Sequence, residues 1–167
     1  MGCGKSSVGR RLAQLTGHRF VDTDDLIVEK SGMSIPALFA EQGEVGFREI
    51  ESQVLTDLIG ICGVVLATGG GIVTRPQNLP VLRDVGIVAW LDSAPDLLFE
   101  RVSRNQRRPL LQTEDPRATF DRLLASRLGL YESASEFRVD SSGRTHEEAA
   151  RDILDESMRA HARRQQV

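Results

Sequence analysis

Gly2-Cys3-Gly4-Lys5-Ser6-Ser7-Val8-Gly9 follows Met1 and runs straight into a stretch of helical apolar period. It is the second half of the phosphate-loop pattern G-x-x-x-x-G-K-[ST]. In such a loop, glycines let backbone N–H groups approach phosphate oxygens. The helix that follows adds unsatisfied donors and the positive end of its dipole. Lys5 would then bridge the β- and γ-phosphates as a point charge, and the Ser6 hydroxyl would ligate Mg²⁺. Read for structure alone, the same residues are a glycine-rich lead-in to an amphipathic helix. The motif's first glycine would fall two positions before Met1. The strand that should precede the loop is therefore expected to be missing from this chain.

Outward from this loop, helical and strand patterns alternate, which predicts a three-layer α/β/α fold around a parallel sheet. Val8, Leu12 and Leu15 mark one stripe of a helix over about 5–15, with Gly17 as its stop. A strand is expected at 19–21 and a helix over 24–30 that ends at Gly32. Ser34 reads as an N-cap with Pro36 in the first turn. A helix over about 44–59 should bury Phe47, Ile50, Val54, Leu58 and Ile59. Val64-Val65-Leu66-Ala67 is an apolar run between turn signals, which suits a central strand buried on both faces. A second such run covers 87–91. Helices are expected over 95–102 and 116–128, and a strand over 137–139. Thr145 and Glu148 form a capping box for a last helix burying Ala149, Ile153, Leu154 and Met158. Residues 161–167 are expected to fray.

The 167 residues suit one domain, 1–167, large enough to bury a core without staples. The formal net charge is -3 with no long run of one sign, and there is one Trp and one Tyr for stacking, so no nucleic-acid partner is expected. No apolar stretch is long enough to cross a bilayer, and the N-terminus lacks a signal-peptide core. Cys3 and Cys62 are read as free thiols. These features predict a cytoplasmic protein that engages no membrane.

Several segments carry candidate chemistry. Asp22-Thr23-Asp24 falls where a strand hands over to a helix, the place where open α/β sheets bind ligands. One carboxylate could hold a water on Mg²⁺ while the other accepts a hydroxyl proton, or the pair could simply cap the helix. Arg48 shares a helix face with Glu44 and Glu51. It either makes a surface ion pair or forks onto a substrate carboxylate, with a glutamate fixing its direction. Thr68-Gly69-Gly70-Gly71 follows the most apolar strand, and three glycines there would let a ligand lie against bare backbone. Arg107-Arg108-Pro109-Leu110-Leu111 sits in a polar connection over about 103–116. It could be a lid that brings an arginine over a phosphate, or a solvated basic face.

Taken in order, these segments, with Gly46-Phe47-Arg48-Glu49-Ile50-Glu51 and Arg127 to Tyr131, resemble the shikimate kinases over essentially the whole length. That is a P-loop family of the nucleoside monophosphate kinase-like type. The resemblance implies transfer of the γ-phosphoryl of ATP to the 3-hydroxyl of shikimate, a step toward chorismate and the aromatic amino acids, in a monomer. It implies ATP-binding by Gly2, Cys3, Gly4, Lys5, Ser6, Ser7 and Arg108, with Arg101 and Arg144 near the adenine. It places Mg²⁺ on Ser6 and, through water, on Asp22. It makes Asp24 the candidate base that holds the acceptor hydroxyls. Arg48 and Arg127 would clamp the carboxylate, Gly70 with Gly69 and Gly71 would pack against the ring, and Glu51 would orient nearby groups. Lys5, Asp24 and Arg108 are the catalytic set. Members of the family carry a first strand ahead of the position of Met1, so a mis-set or shortened start is expected. Two other readings remain: a related small-molecule kinase such as a gluconate kinase, or a shikimate-binding protein without turnover.

Overall fold

The computed structural model describes residues 2–104 and 113–166. The expected lid arginines Arg107 and Arg108 lie outside the described residues. Helix α1, Lys5–Thr16, starts where Gly4 turns the chain at φ 85 and ends at Gly17, whose N–H returns to the Ala13 carbonyl. Strand β1, Arg19–Asp22, leads directly into helix α2, Thr23–Ser31. The Asp22 side chain caps α2 by accepting from the Asp24 N–H.

Ser34 caps helix α3, Ile35–Thr56, as its hydroxyl and the Pro in the first turn predicted. The helix is broken at Gly43, whose φ of 67 lets the chain change direction before the Phe47–Leu55 segment. Ile59 is not part of its buried face. The helix ends at Thr56, and Ile59 stands 47% exposed in the turn beyond.

Strand β2, Val64–Ala67, is followed by the glycine segment, a 3-10 turn at Ile72–Thr74 and helix α4, Asn78–Val85. Strand β3, Ala89–Asp92, precedes helix α5, Pro95–Ser103, and helix α6, Pro116–Ala134, runs six residues beyond the expected end. Strand β4, Phe137–Asp140, leads to helix α7, His146–Arg164, which carries the expected capping box. That helix continues through most of the stretch expected to fray, and Met158 is 57% exposed rather than buried.

Both strand pairs are parallel. β1 pairs with β2 in the register Arg19 to Val64, and β3 pairs with β4 in the register Ala89 to Phe137. Among the described residues, the two pairs do not hydrogen-bond to each other. A cavity of 380 Å³ lies between β2 and β3, lined by Val65, Ala67, Val88, Ala89 and Leu91, with Val8 and Leu12 of α1 at its side. That opening is why Val64, Val65 and Leu66 are only partly buried, where a strand covered on both faces was expected.

The largest apolar cluster gathers Cys3, Val8, Leu91, Leu98, Phe120 and Ile153. It ties the phosphate loop to β3, α5, α6 and α7. Phe120 is fully buried there, and truncating such a ring costs about 3–5 kcal/mol. A second cluster around Leu55, Ile72 and Leu82 supports the segment after the glycines. A third, around Ile27, Leu38 and Phe47, supports α2 and the bent α3.

Candidate active site

The carboxyl ends of β1 and β2 and the N-terminus of α1 converge. The Ser6 hydroxyl, in the first turn of α1, donates to Asp22 Oδ2 at 2.7 Å. This joins the loop's hydroxyl to the carboxylate at the end of β1 across 16 residues of chain. Asp22 caps α2 with one oxygen, which is one of its two expected roles, and accepts from Ser6 with the other. These are hard oxygen donors of the kind Mg²⁺ accepts, few enough to leave its other positions to water and phosphate. Among the described residues there is no cluster of three or more His, Cys, Asp or Glu that could hold a metal without such help.

Lys5 Nζ points back over its own loop, 3.8 Å from Cys3 Sγ. Cys3 is buried beneath and Cys62 is exposed, and neither is in a disulfide. Gly2 and Gly4 both have positive φ, while Ser7 is exposed one position beyond Ser6. Arg101 comes to the loop from α5, with Nη1 3.5 Å from the Gly2 carbonyl. Arg144 pairs with Asp152 just ahead of α7. His146, which the sequence reading did not single out, brings α7 against the loop. Its Nε2 lies 3.7 Å from where a Cβ on Gly4 would stand.

The second half of the site is built on α3, α6 and the glycine segment. Arg48 is buried, yet it is an ion pair as helix spacing suggested. Nη1 donates to Glu51 Oε2 at 2.7 Å, and Nη2 donates to Glu44 Oε1 at 3.1 Å. Its guanidinium lies 5.1 Å from the centroid of the Phe47 ring. Burial works against its charge, but Glu51 and Glu44 outweigh it and raise its proton affinity. Glu51 is fully buried, and burial pushes its proton affinity up against the opposing pull of Arg48. Arg127, also buried, and Asp24 act on Glu51 at short range, so these four charges share one locality.

Two of the glycines, Gly69 and Gly71, are crowded by the buried ion pair. A Cβ on Gly71 would stand 2.2 Å from Arg48 Nη2, and one on Gly69 would stand 2.5 Å from Glu51 Oε1 and 3.5 Å from Asp24 Oδ1. No other residue fits without displacing a buried ion pair. Two further side chains hold this segment. Fully buried Thr23 accepts the Gly69 N–H at 3.2 Å, and Tyr131 donates to the Gly70 carbonyl at 2.6 Å. Tyr131 was legible only as the residue one turn after Arg127. A cavity of 80 Å³ is bordered by Lys5 and Cys3 and by Gly69, Gly70 and Tyr131, with Trp90, Leu91, Leu98 and Leu124 among its apolar walls; Asp24, Arg48, Glu51 and Arg127 stand outside its lining. The loop and the glycine segment thus face one space. Of the expected site residues, Arg108 alone lies outside the described residues.

The family model described as shikimate kinase matches residues 1–157. A shikimate kinase of Actinobacillus pleuropneumoniae is 41% identical over 155 residues, which is 93% of this chain and 90% of that protein. The solved structure of shikimate kinase from Acinetobacter baumannii in complex with shikimate superposes with a TM-score of 0.88 at 40% identity, covering 92% of this chain and 86% of that one. The shikimate kinase structure from Aquifex aeolicus gives a TM-score of 0.82 at 30% identity, covering 97% and 94%.

Proposed function

The chain belongs to the shikimate kinase family, and from that premise we propose how its residues carry the γ-phosphoryl group of ATP to the 3-hydroxyl of shikimate. The observation that supports this reading most is the Ser6–Asp22 contact, which joins the phosphate loop to the strand end beside which Asp24, Arg48, Glu51 and Arg127 share one locality against the glycine segment. The loop at the start of α1 suits a polyphosphate, and the buried arginines suit a small carboxylate.

The amides of Gly2, Cys3, Gly4 and Lys5 at the start of α1 bind the phosphates, with Ser6 and Ser7 in the first turn. Lys5 swings from Cys3 to the β- and γ-phosphates. Ser6, and Asp22 through a water, would hold Mg²⁺, which when bound neutralises charge on the phosphate oxygens. Arg101 and Arg144 flank the adenine. At the other end, Arg48 and Arg127 clamp the substrate carboxylate, and Gly70, between Gly69 and Gly71, carries the ring. Glu51 keeps the Arg48 fork aimed, which is how a bidentate clamp gains its geometric selectivity. Asp24 accepts the proton of the attacking hydroxyl as the new O–P bond forms and the bond from the γ-phosphorus to the bridging oxygen breaks, releasing ADP. To Arg108, which lies outside the described residues, the reading assigns a charge on the transferred phosphate. Catalysis is then positioning and charge neutralisation. The same reading takes the protein as a cytoplasmic monomer.

An ADP-release assay with ATP and Mg²⁺ tests this against two acceptors. Turnover with shikimate and none with gluconate is expected, and it should vanish in Lys5→Met. Phosphorylation of gluconate alone would replace the reading with that of a different small-molecule kinase. Tight shikimate binding without ADP release would make this a binding protein.

A further inference from the structure

Tyr131 occupies a place that the reaction as described leaves unused. Its hydroxyl donates to the Gly70 carbonyl at 2.6 Å, 61 residues away in sequence. Its ring lies 5.9 Å from that of Trp90 on β3, tilted by 34°. Trp90 is covered in turn by Arg138, whose guanidinium stands 4.8 Å from the indole centroid and bridges to Asp92 at 2.6 Å. The phenol is therefore braced from the β3–β4 pair while its oxygen reaches the glycine segment. Arg127 stands four residues earlier on α6, and residues at that spacing share a helix face. One face of α6 thus presents a buried guanidinium and a fixed hydroxyl.

The glycine segment needs such an anchor. Three consecutive glycines have the widest choice of backbone angles, so a peptide flip between them costs little unless something opposes it. Gly69 is held by Thr23, and the Ile72 N–H closes back on the Gly69 carbonyl at 3.2 Å. The Arg48 guanidinium fills the space beside Gly71. The peptide between Gly70 and Gly71 is held by Tyr131. A trans peptide is planar, so a fixed carbonyl on Gly70 also fixes the N–H of Gly71 in the opposite direction.

We propose that Tyr131 is a positioning residue. It locks the Gly70–Gly71 peptide in the orientation the acceptor site needs and braces that site against the Trp90 wall. The proposal rests on the reading of Gly70 as part of the shikimate site. Tyr131→Phe keeps the ring against Trp90 and deletes only the hydroxyl, so the variant should fold with circular dichroism like that of the parent. Losing one neutral hydrogen bond is expected to raise the KM for shikimate about fivefold while the KM for ATP stays within about twofold. In the ligand-free protein, the Gly71 amide resonance should shift in the ¹H–¹⁵N spectrum. An unchanged Gly71 amide, or KM values for both substrates rising together with a lower Tm, would overturn the proposal. If the parent chain proves inactive on shikimate, the reading of its function falls. The ligand-free Gly71 shift still decides whether Tyr131 sets that peptide.

Discussion

Glu51 places one carboxylate oxygen on Arg48, and its other oxygen, Oε1, has no hydrogen-bond partner among the described residues, although the side chain is fully buried. An ionised carboxylate in that position depends on its cation. Removing Arg48 should therefore have two separable effects. Arg48→Ala deletes a charge-assisted fork and is expected to raise the shikimate KM roughly 10- to 100-fold with little change for ATP. It also strands Glu51, and breaking a buried pair costs about 3–5 kcal/mol, which a thermal melt would show. The pH dependence of that deficit has a definite sign. Burial already raises the proton affinity of Glu51, and loss of Arg48 raises it further. A raised folded-state value means that the folded chain binds the proton more readily than the unfolded one. The deficit should then shrink as pH falls through that raised value, in the window above the ordinary glutamate value of about 4.3. Adding Glu51→Gln to Arg48→Ala should restore most of the stability and none of the shikimate affinity. If both variants bind shikimate normally, Arg48 is a structural ion pair and nothing more.

The helices keep the boundaries that local chemistry dictates. Thr145 accepts the Glu148 N–H, and Glu148 accepts the Thr145 N–H at 2.8 Å, so α7 begins where its capping box was legible in sequence. The hydrogen bonds from the Thr145 backbone and side chain hold the Glu148 carboxyl below the usual glutamate range. A lowered folded-state value means that its stabilisation is present above the ordinary value of about 4.3 and is lost as pH falls through the lowered one. Thr145→Ala should cost about 1 kcal/mol near neutrality. Glu148→Gln should lower the Tm at pH 7, the deficit should shrink as the solution is acidified below the ordinary glutamate range, and a deficit that stays constant would show that its charge is irrelevant. Gly17, Gly32 and Ser34 were legible for the same reason as this cap, because a stop or a cap is decided within one turn. The residues that went astray depend on distant partners. Ile59 and Met158 fit a helical apolar stripe, yet among the described residues no element covers them and they stand exposed. Helix α4 is eight residues long, too short to show its period against Pro and Gly neighbours. In the site, the segments that carry their own signal could be read: the glycines, the Asp22–Asp24 pair and Arg48. Thr23 and Tyr131 could not be placed, because their partners, Gly69 and Gly70, are 46 and 61 residues away.

At the scale of the whole molecule, the two parallel strand pairs are carried by separate apolar clusters. Val139 and Leu91 belong to one, while Leu55 and Ile72 under β2 belong to another. The sequence pattern could indicate strands but not their pairing, since the apolar runs at 64–67 and 87–91 read alike. The 380 Å³ cavity between β2 and β3 is walled mainly by aliphatic side chains, with Lys5 and Thr68 at its phosphate-loop end. A space of that size and lining leaves its walls without the dispersion contacts of a packed interior, and inner strand edges with open ladder groups invite association. The folded chain should therefore bind 1-anilinonaphthalene-8-sulfonate with a marked rise in fluorescence at neutral pH, before any thermal transition. Ala89 lines this space and also packs against the cluster of Cys3, Val8 and Leu91, so Ala89→Leu should occupy part of the cavity, weaken the dye signal and raise the Tm. The same variant should raise the protein concentration at which light scattering first appears. A folded chain that leaves the dye dark, or an Ala89→Leu variant that melts lower, would mean that the walls between β2 and β3 close on each other in solution.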